Sequence, residues 1–86
     1  MDHLEAYKRL KEEAEKTLKS YALSGRVSEE FLSALKDYVE SLPDRLKNTY
    51  IIIIGEKNVV IRRGDLYDYA LKSPEFALKL AEVLSS

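Results

Sequence analysis

The sequence predicts an α+β domain that is mainly α, in the order α-α-β-β-α-α. It reads as an antiparallel helix pair, one β-hairpin and two shorter helices. Three observations carry this reading. Apolar residues recur every three or four positions through the first 42 residues. A run from Tyr50 to Arg63 then holds four consecutive isoleucines, Ile51 to Ile54, and a second apolar triplet, Val59 to Ile61. Finally, Asp65 and the triplet Ser73-Pro74-Glu75 mark the starts of two further helices. The chain has 86 residues, the size of one domain, so residues 1–86 are expected to fold as a single small globular unit.

The first helix is expected from about Asp2 to Leu23. Asp2 is its N-cap, and Glu5 completes a capping box. Leu4, Tyr7, Leu10, Ala14, Leu18 and Tyr21 form its apolar stripe. Glu12–Lys16 and Glu15–Lys19 are favourable i,i+4 pairs on the polar side. Ser24-Gly25 ends the helix, because Gly adopts the left-handed conformation that closes helices. Ser28 caps the second helix, whose apolar side is Phe31, Leu32, Leu35, Tyr38, Val39 and Leu42. The short connection folds the two helices back on each other. Pro43 either interrupts the second helix or opens a short turn from Pro43 to Lys47.

The hairpin is expected to close through Gly55 to Asn58, because Glu56-Lys57 lacks the Asn-Gly chemistry of two-residue loops. That loop sets Ile54 opposite Val59, Ile52 opposite Ile61 and Tyr50 opposite Arg63. Tyr50, Ile52, Ile54, Val59 and Ile61 then pack on the helices. Ile51, Ile53, Val60 and Arg62 face the other way. Asp65 is expected to cap the third helix, which runs to about Lys72. The last helix, Pro74 to Leu84, packs Phe76, Ala77, Leu80, Ala81 and Leu84.

Composition excludes several kinds of chemistry. There is no cysteine, hence no disulfide, zinc finger or thiol catalysis. No apolar run spans a membrane and no signal peptide is present, which makes a cytoplasmic protein without membrane contact the expectation. Glutamine is absent, asparagine is confined to Asn48 and Asn58, and Lys and Glu abound, a thermophile-like composition. His3, the one histidine, sits where chains fray and makes a poor catalytic base or metal ligand. The three isolated glycines form no phosphate loop. Asp65 and Asp68 are explained by helix capping, and Glu56-Lys57 lacks the spacing of a nuclease site. Arg63-Gly64-Asp65 is strand end, break and cap, not an integrin motif. No catalytic, cofactor-binding or metal-binding residues are assigned, and the chain is not expected to be an enzyme.

Two function classes remain. Net charge is −1, but residues 43–64 carry five basic against two acidic side chains. Helices followed by a basic hairpin also describe a winged-helix layout, with Lys57, Arg62 and Arg63 contacting DNA or RNA phosphates. Against it, the helix before the hairpin holds Glu29, Glu30, Asp37 and Glu40 and one Lys36, unlike a helix that reads base edges. The isoleucine-rich strand argues for the other class, a non-catalytic protein-interaction module. An unbroken apolar strand points greasy side chains to both faces, and so short a chain covers one of them more easily than two. The expected interface is Ile51, Ile53 and Val60 with Tyr67 and Tyr69 of the following helix. Tyr67 and Tyr69, with Leu66, Ala70 and Leu71, make that helix apolar nearly all round. The partner is a second copy, paired along the open edge of strand 50–54 in a homodimer, or a different protein to which this chain is an accessory subunit.

Overall fold

A computed structural model describes residues 2–86. The elements are α1 (His3–Ser24), α2 (Glu29–Ser41), α3 (Asp44–Lys47), β1 (Tyr50–Ile53), β2 (Val59–Arg62), a 3-10 turn (Arg63–Asp65), α4 (Leu66–Lys72) and α5 (Pro74–Ser85). The α+β, mainly α layout is therefore the one the sequence predicts, with one short helix added.

Local chemistry places each boundary. Asp2 caps α1 by accepting a hydrogen bond from the Leu4 N–H at 3.3 Å. Gly25 ends it with φ of +70°, and its N–H donates to the Tyr21 carbonyl at 2.8 Å. Ser28 and Ser73 cap α2 and α5, each accepting from the amide three residues on at 3.2 Å. α2 stops at Ser41 with Leu42 extended before the proline, and Pro43 opens α3 as its N-cap residue, so of the two roles left open by the sequence Pro43 takes the start of a short separate turn. Asp65 makes no side-chain cap. Its carboxylate is taken by Arg62, through Nε at 2.9 Å and Nη2 at 3.3 Å. A forked guanidinium contact outcompetes a single N–H as partner for that carboxylate.

The helices make the frame. α1 lies between α2 and α5, and α4 bridges α2 to α5. The buried line on α1 is Ala6, Leu10, Ala14 and Thr17, whereas Leu4 and Tyr7 of the expected stripe are exposed. Having two neighbours turns the buried face toward the alanines, whose small side chains let helices approach closely. On the polar side Lys16 reaches Glu13 at 3.3 Å, not Glu12. Arg9 on α1 donates to Asp37 on α2 at 2.6 Å, a half-exposed pair of the kind worth about 0–1 kcal/mol. Phe31 and Leu35 of α2 and Phe76, Ala77, Leu80 and Ala81 of α5 complete the core around α1.

Thr17 is fully buried, and its Oγ1 accepts the Ser28 N–H at 2.8 Å. It therefore pins the start of α2 to the middle of α1. At the other end of the frame Gly64 lets α3 press on the end of the hairpin. A Cβ there would lie 3.1 Å from the Lys47 carbonyl oxygen and 3.2 Å from its Cβ. Thr17→Val keeps the shape at Thr17 but leaves the Ser28 N–H without its acceptor. The expected loss is about 1–3 kcal/mol, read as a lower urea midpoint with an unchanged slope.

Candidate interaction surface on the hairpin

The hairpin is antiparallel and pairs Tyr50 with Arg62, Ile51 with Ile61, Ile52 with Val60 and Ile53 with Val59. This register is one residue away from the expected one, which set Ile54 opposite Val59. Ile54 belongs to the connection, which runs through Asn58 and is closed by the Gly55 N–H donating to Asn58 Oδ1 at 3.4 Å. On β2 the expected faces hold, because Arg62 must stay in water and Ile61 and Val59 therefore turn inward. On β1 the slip exchanges the two faces, since strand side chains alternate with a period of two.

The consequence is a correction to the expected surface. Ile53 is a core residue, 3% exposed, and Ile61 opposite the same face is 7% exposed. Ile51 and Val59 are half-buried against that core. The outer face is carried by Tyr50, Ile52, Ile54 and Val60, which are 66%, 61%, 67% and 62% exposed. Of the five residues expected at an interface, Val60 is on this face, while Ile51 and Ile53 are on the opposite one. Tyr67 packs against the core with the Lys36 ammonium 6.0 Å from its ring centroid. Tyr69 is partly exposed and meets Phe76 edge-on, with centroids 4.5 Å apart. Leu71 is also exposed, so α4 is not covered on every side.

The sequence hid Tyr50, Ile52 and Ile54 because four identical side chains carry no parity signal. One usable signal was present. Asn58 folds its side chain back toward Gly55, so the turn is built from both ends and takes an extra residue from β1.

The basic residues do not converge. Lys57 lies in the turn, and Arg62 and Arg63 lie at the opposite end of β2. Arg62 is tied to Asp65, whose hydrogen bond and charge hold its guanidinium more firmly protonated than usual. Arg63 is half-buried, and its N–H donates to the Thr49 carbonyl at 2.7 Å. Arg63 also lies beside Tyr38. Burial pushes the Tyr38 phenol above its ordinary value, and the Arg63 charge offsets part of that rise. Tyr7 stacks at a tilt on the same ring, with centroids 5.7 Å apart.

An open cleft of about 650 Å³ lies between the hairpin turn, α1 and α5, lined by Tyr21, Glu56, Lys57, Phe76, Lys79 and Glu82 among others. Its charges are mixed and its walls hold no histidine. Among the described residues no three His, Asp or Glu side chains are grouped as metal ligands. Among them, too, no helix is long and apolar enough to cross a membrane. No protein-family model, curated protein or solved structure matches the chain.

Truncation separates the two hairpin faces. Ile53→Ala is expected to lose about 2–5 kcal/mol, and Ile52→Ala to stay within about 0.5 kcal/mol, in chemical denaturation. Equal losses would contradict the observed register. Tyr38 gives a pH signature. Its raised value means that the folded state holds its proton longer than the unfolded state above pH 10. Stability is therefore complete below the ordinary tyrosine range and falls as pH rises through the folded value. Tyr38→Phe should flatten that alkaline slope relative to wild type in denaturation series at increasing pH.

Proposed function

We propose that this chain is a small, non-catalytic protein-interaction module that docks through the outer face of its hairpin, as a homodimer or as the accessory subunit of a larger complex. The observation that carries the reading is the exposed quartet Tyr50, Ile52, Ile54 and Val60. These side chains are contributed by both strands and by the turn that joins them, so they form one surface. Full burial of a large apolar side chain is worth roughly 1.5–3 kcal/mol. Covering four that are already about one-third buried still leaves several kcal/mol for association. Tyr69 and Leu71 on the following helix add exposed apolar surface of their own. Among the described residues no acid, base and nucleophile converge on one site, which supports a non-catalytic role. A cytoplasmic setting belongs to the same proposal, supported by a chain without cysteine.

The nucleic-acid alternative has less behind it. A phosphate-tracking surface needs its cations in one stripe. Here Lys57 is a hairpin's length from the arginines, Arg62 is engaged by Asp65, and the face between them is apolar.

The test compares wild type with Val60→Lys, which puts a charge at the centre of the face without touching the core. Leu23→Lys, at the far end of α1, is the control for an exposed leucine. Helical circular dichroism should be unchanged in both. Proteins recovered with tagged wild type from its own host should be lost with Val60→Lys and kept with Leu23→Lys. Identical recovery with all three would remove the reading.

A further inference from the structure

The ladder has a second consequence, at its edge. Hydrogen-bonded and non-bonded pairs alternate along an antiparallel pair of strands. The Arg63 N–H donates to the Thr49 carbonyl just below the first strand pair. That bond makes Ile51–Ile61 and Ile53–Val59 the bonded pairs. Tyr50 and Ile52 therefore point both N–H and C=O away from β2. Among the described residues no other strand pairs with β1, and no turn or cap hydrogen bond reaches these four groups.

We infer that β1 pairs antiparallel with β1 of a second copy, about a two-fold axis at Ile51, with Tyr50 of each copy bonded to Ile52 of the other. This deepens the interaction reading and rests on it, though edge and face are tested separately. Four observations select a second copy as the occupant.

The first is that β1, although short at four residues, carries none of the side-chain or backbone devices that protect an edge. It holds no charge, no proline and no bulge. The β2 edge is guarded by the Arg62–Asp65 pair and ends at once in the 3-10 turn. Next, self-pairing sets only tyrosine and isoleucine opposite one another, so no like charges meet. The third concerns Ile51, which is only half-buried although it faces the core. On the axis it becomes a non-bonded pair, the closest side-chain approach in a ladder, and each copy covers the exposed part of the other's Ile51.

The fourth is area. The outer quartet of one copy presents on the order of 400 Å², counting ~100–200 Å² for each fully exposed apolar side chain. A standard protein–protein interface uses roughly 800 Å² per partner. A two-fold axis perpendicular to the sheet keeps both outer faces on one side. Edge pairing thus doubles the docking face to the size a stable complex needs, and converts a two-stranded ribbon into a four-stranded sheet.

The experiment uses the full chain. Light scattering at NMR concentrations should give twice the 9.9 kDa chain mass. In the same samples the Tyr50 and Ile52 amides should exchange slowly, and more slowly as concentration rises. Ile52→Pro removes one outward donor and no bond of the existing ladder. It should return the mass to one chain with helical circular dichroism retained. Val60→Lys lies on the other strand and should stay dimeric. A wild-type monomer at these concentrations overturns the inference. So does a dimer whose Tyr50 and Ile52 amides exchange as fast as those of the turn, a readout that stands even if Ile52→Pro fails to fold. Dissociation by Val60→Lys would show that the face joins the copies, which also overturns edge pairing while sparing the interaction reading. A monomer that still loses its partners with Val60→Lys does the same. A dimer whose partners ignore Val60→Lys keeps the edge and removes the docking face.

Discussion

Arg62 sets the hairpin. A guanidinium cannot enter an 86-residue protein's small core without a buried partner, and Asp65 holds this one at the surface. The parity of β2 follows, with Ile61 and Val59 inward and Val60 outward. Pairing then transmits that parity to β1, where Ile51 and Ile53 lie opposite Ile61 and Val59. One charged side chain at the end of the second strand thus decides which two isoleucines of β1 face the core. Everything at the surface of the ribbon is what that decision leaves over.

The helical frame is what permits the remainder to exist. A two-stranded ribbon is marginal alone, and here its inner face packs into a core that α1, α2 and α5 have already closed. α3 is locked to the ribbon's base through Gly64 and Lys47, and the Thr49–Arg63 hydrogen bond fastens both strands there. The outer face contributes nothing to that closure. Four large apolar side chains are left wet although none is needed to hold the fold. A patch of roughly 400 Å² falls in the range where the largest patch on a soluble protein is often functional.

The helices were legible in the sequence because their signals are chemically distinct. Asp2, Gly25, Ser28 and Ser73-Pro74 each have one physical use, and each is found in that use. Asp65 was ambiguous, since a carboxylate serves a helix N-terminus or a guanidinium equally well, and the Arg62 fork three residues back was the stronger claimant. The tilt of α1 was not legible. Ala6 and Thr17 count little in a hydrophobic stripe, yet close helix approach and a buried N–H need exactly such small or hydroxylated residues. The hairpin was half legible. Arg62 gave β2 its faces, but Ile51 to Ile54 look the same in either parity, and only the length of the turn distinguishes them. The existence of an uncovered apolar ribbon face followed from composition and chain length, whereas the residues on it did not.

The side chains that remain exposed and the main-chain groups that remain unpaired belong to the same residues, and this is a matter of geometry, not coincidence. Along an antiparallel strand both the face a side chain takes and the direction its N–H and C=O take change with a period of two. The register that turns Ile51 and Ile53 inward also spends their main-chain groups on β2. The residues left outside, Tyr50 and Ile52, therefore hold both an apolar surface and an open row of donors and acceptors. On β2 the matching residues are Val60 and Arg62, and Arg62 closes that edge with its ion pair. Had the strand slipped by one, Ile51 and Ile53 would have occupied the edge and Tyr50 the core, and the tyrosine hydroxyl would have been drawn under the helices in need of a partner. The observed register avoids that burial and, in doing so, leaves exposed apolar side chains and outward main-chain groups together on one short strand.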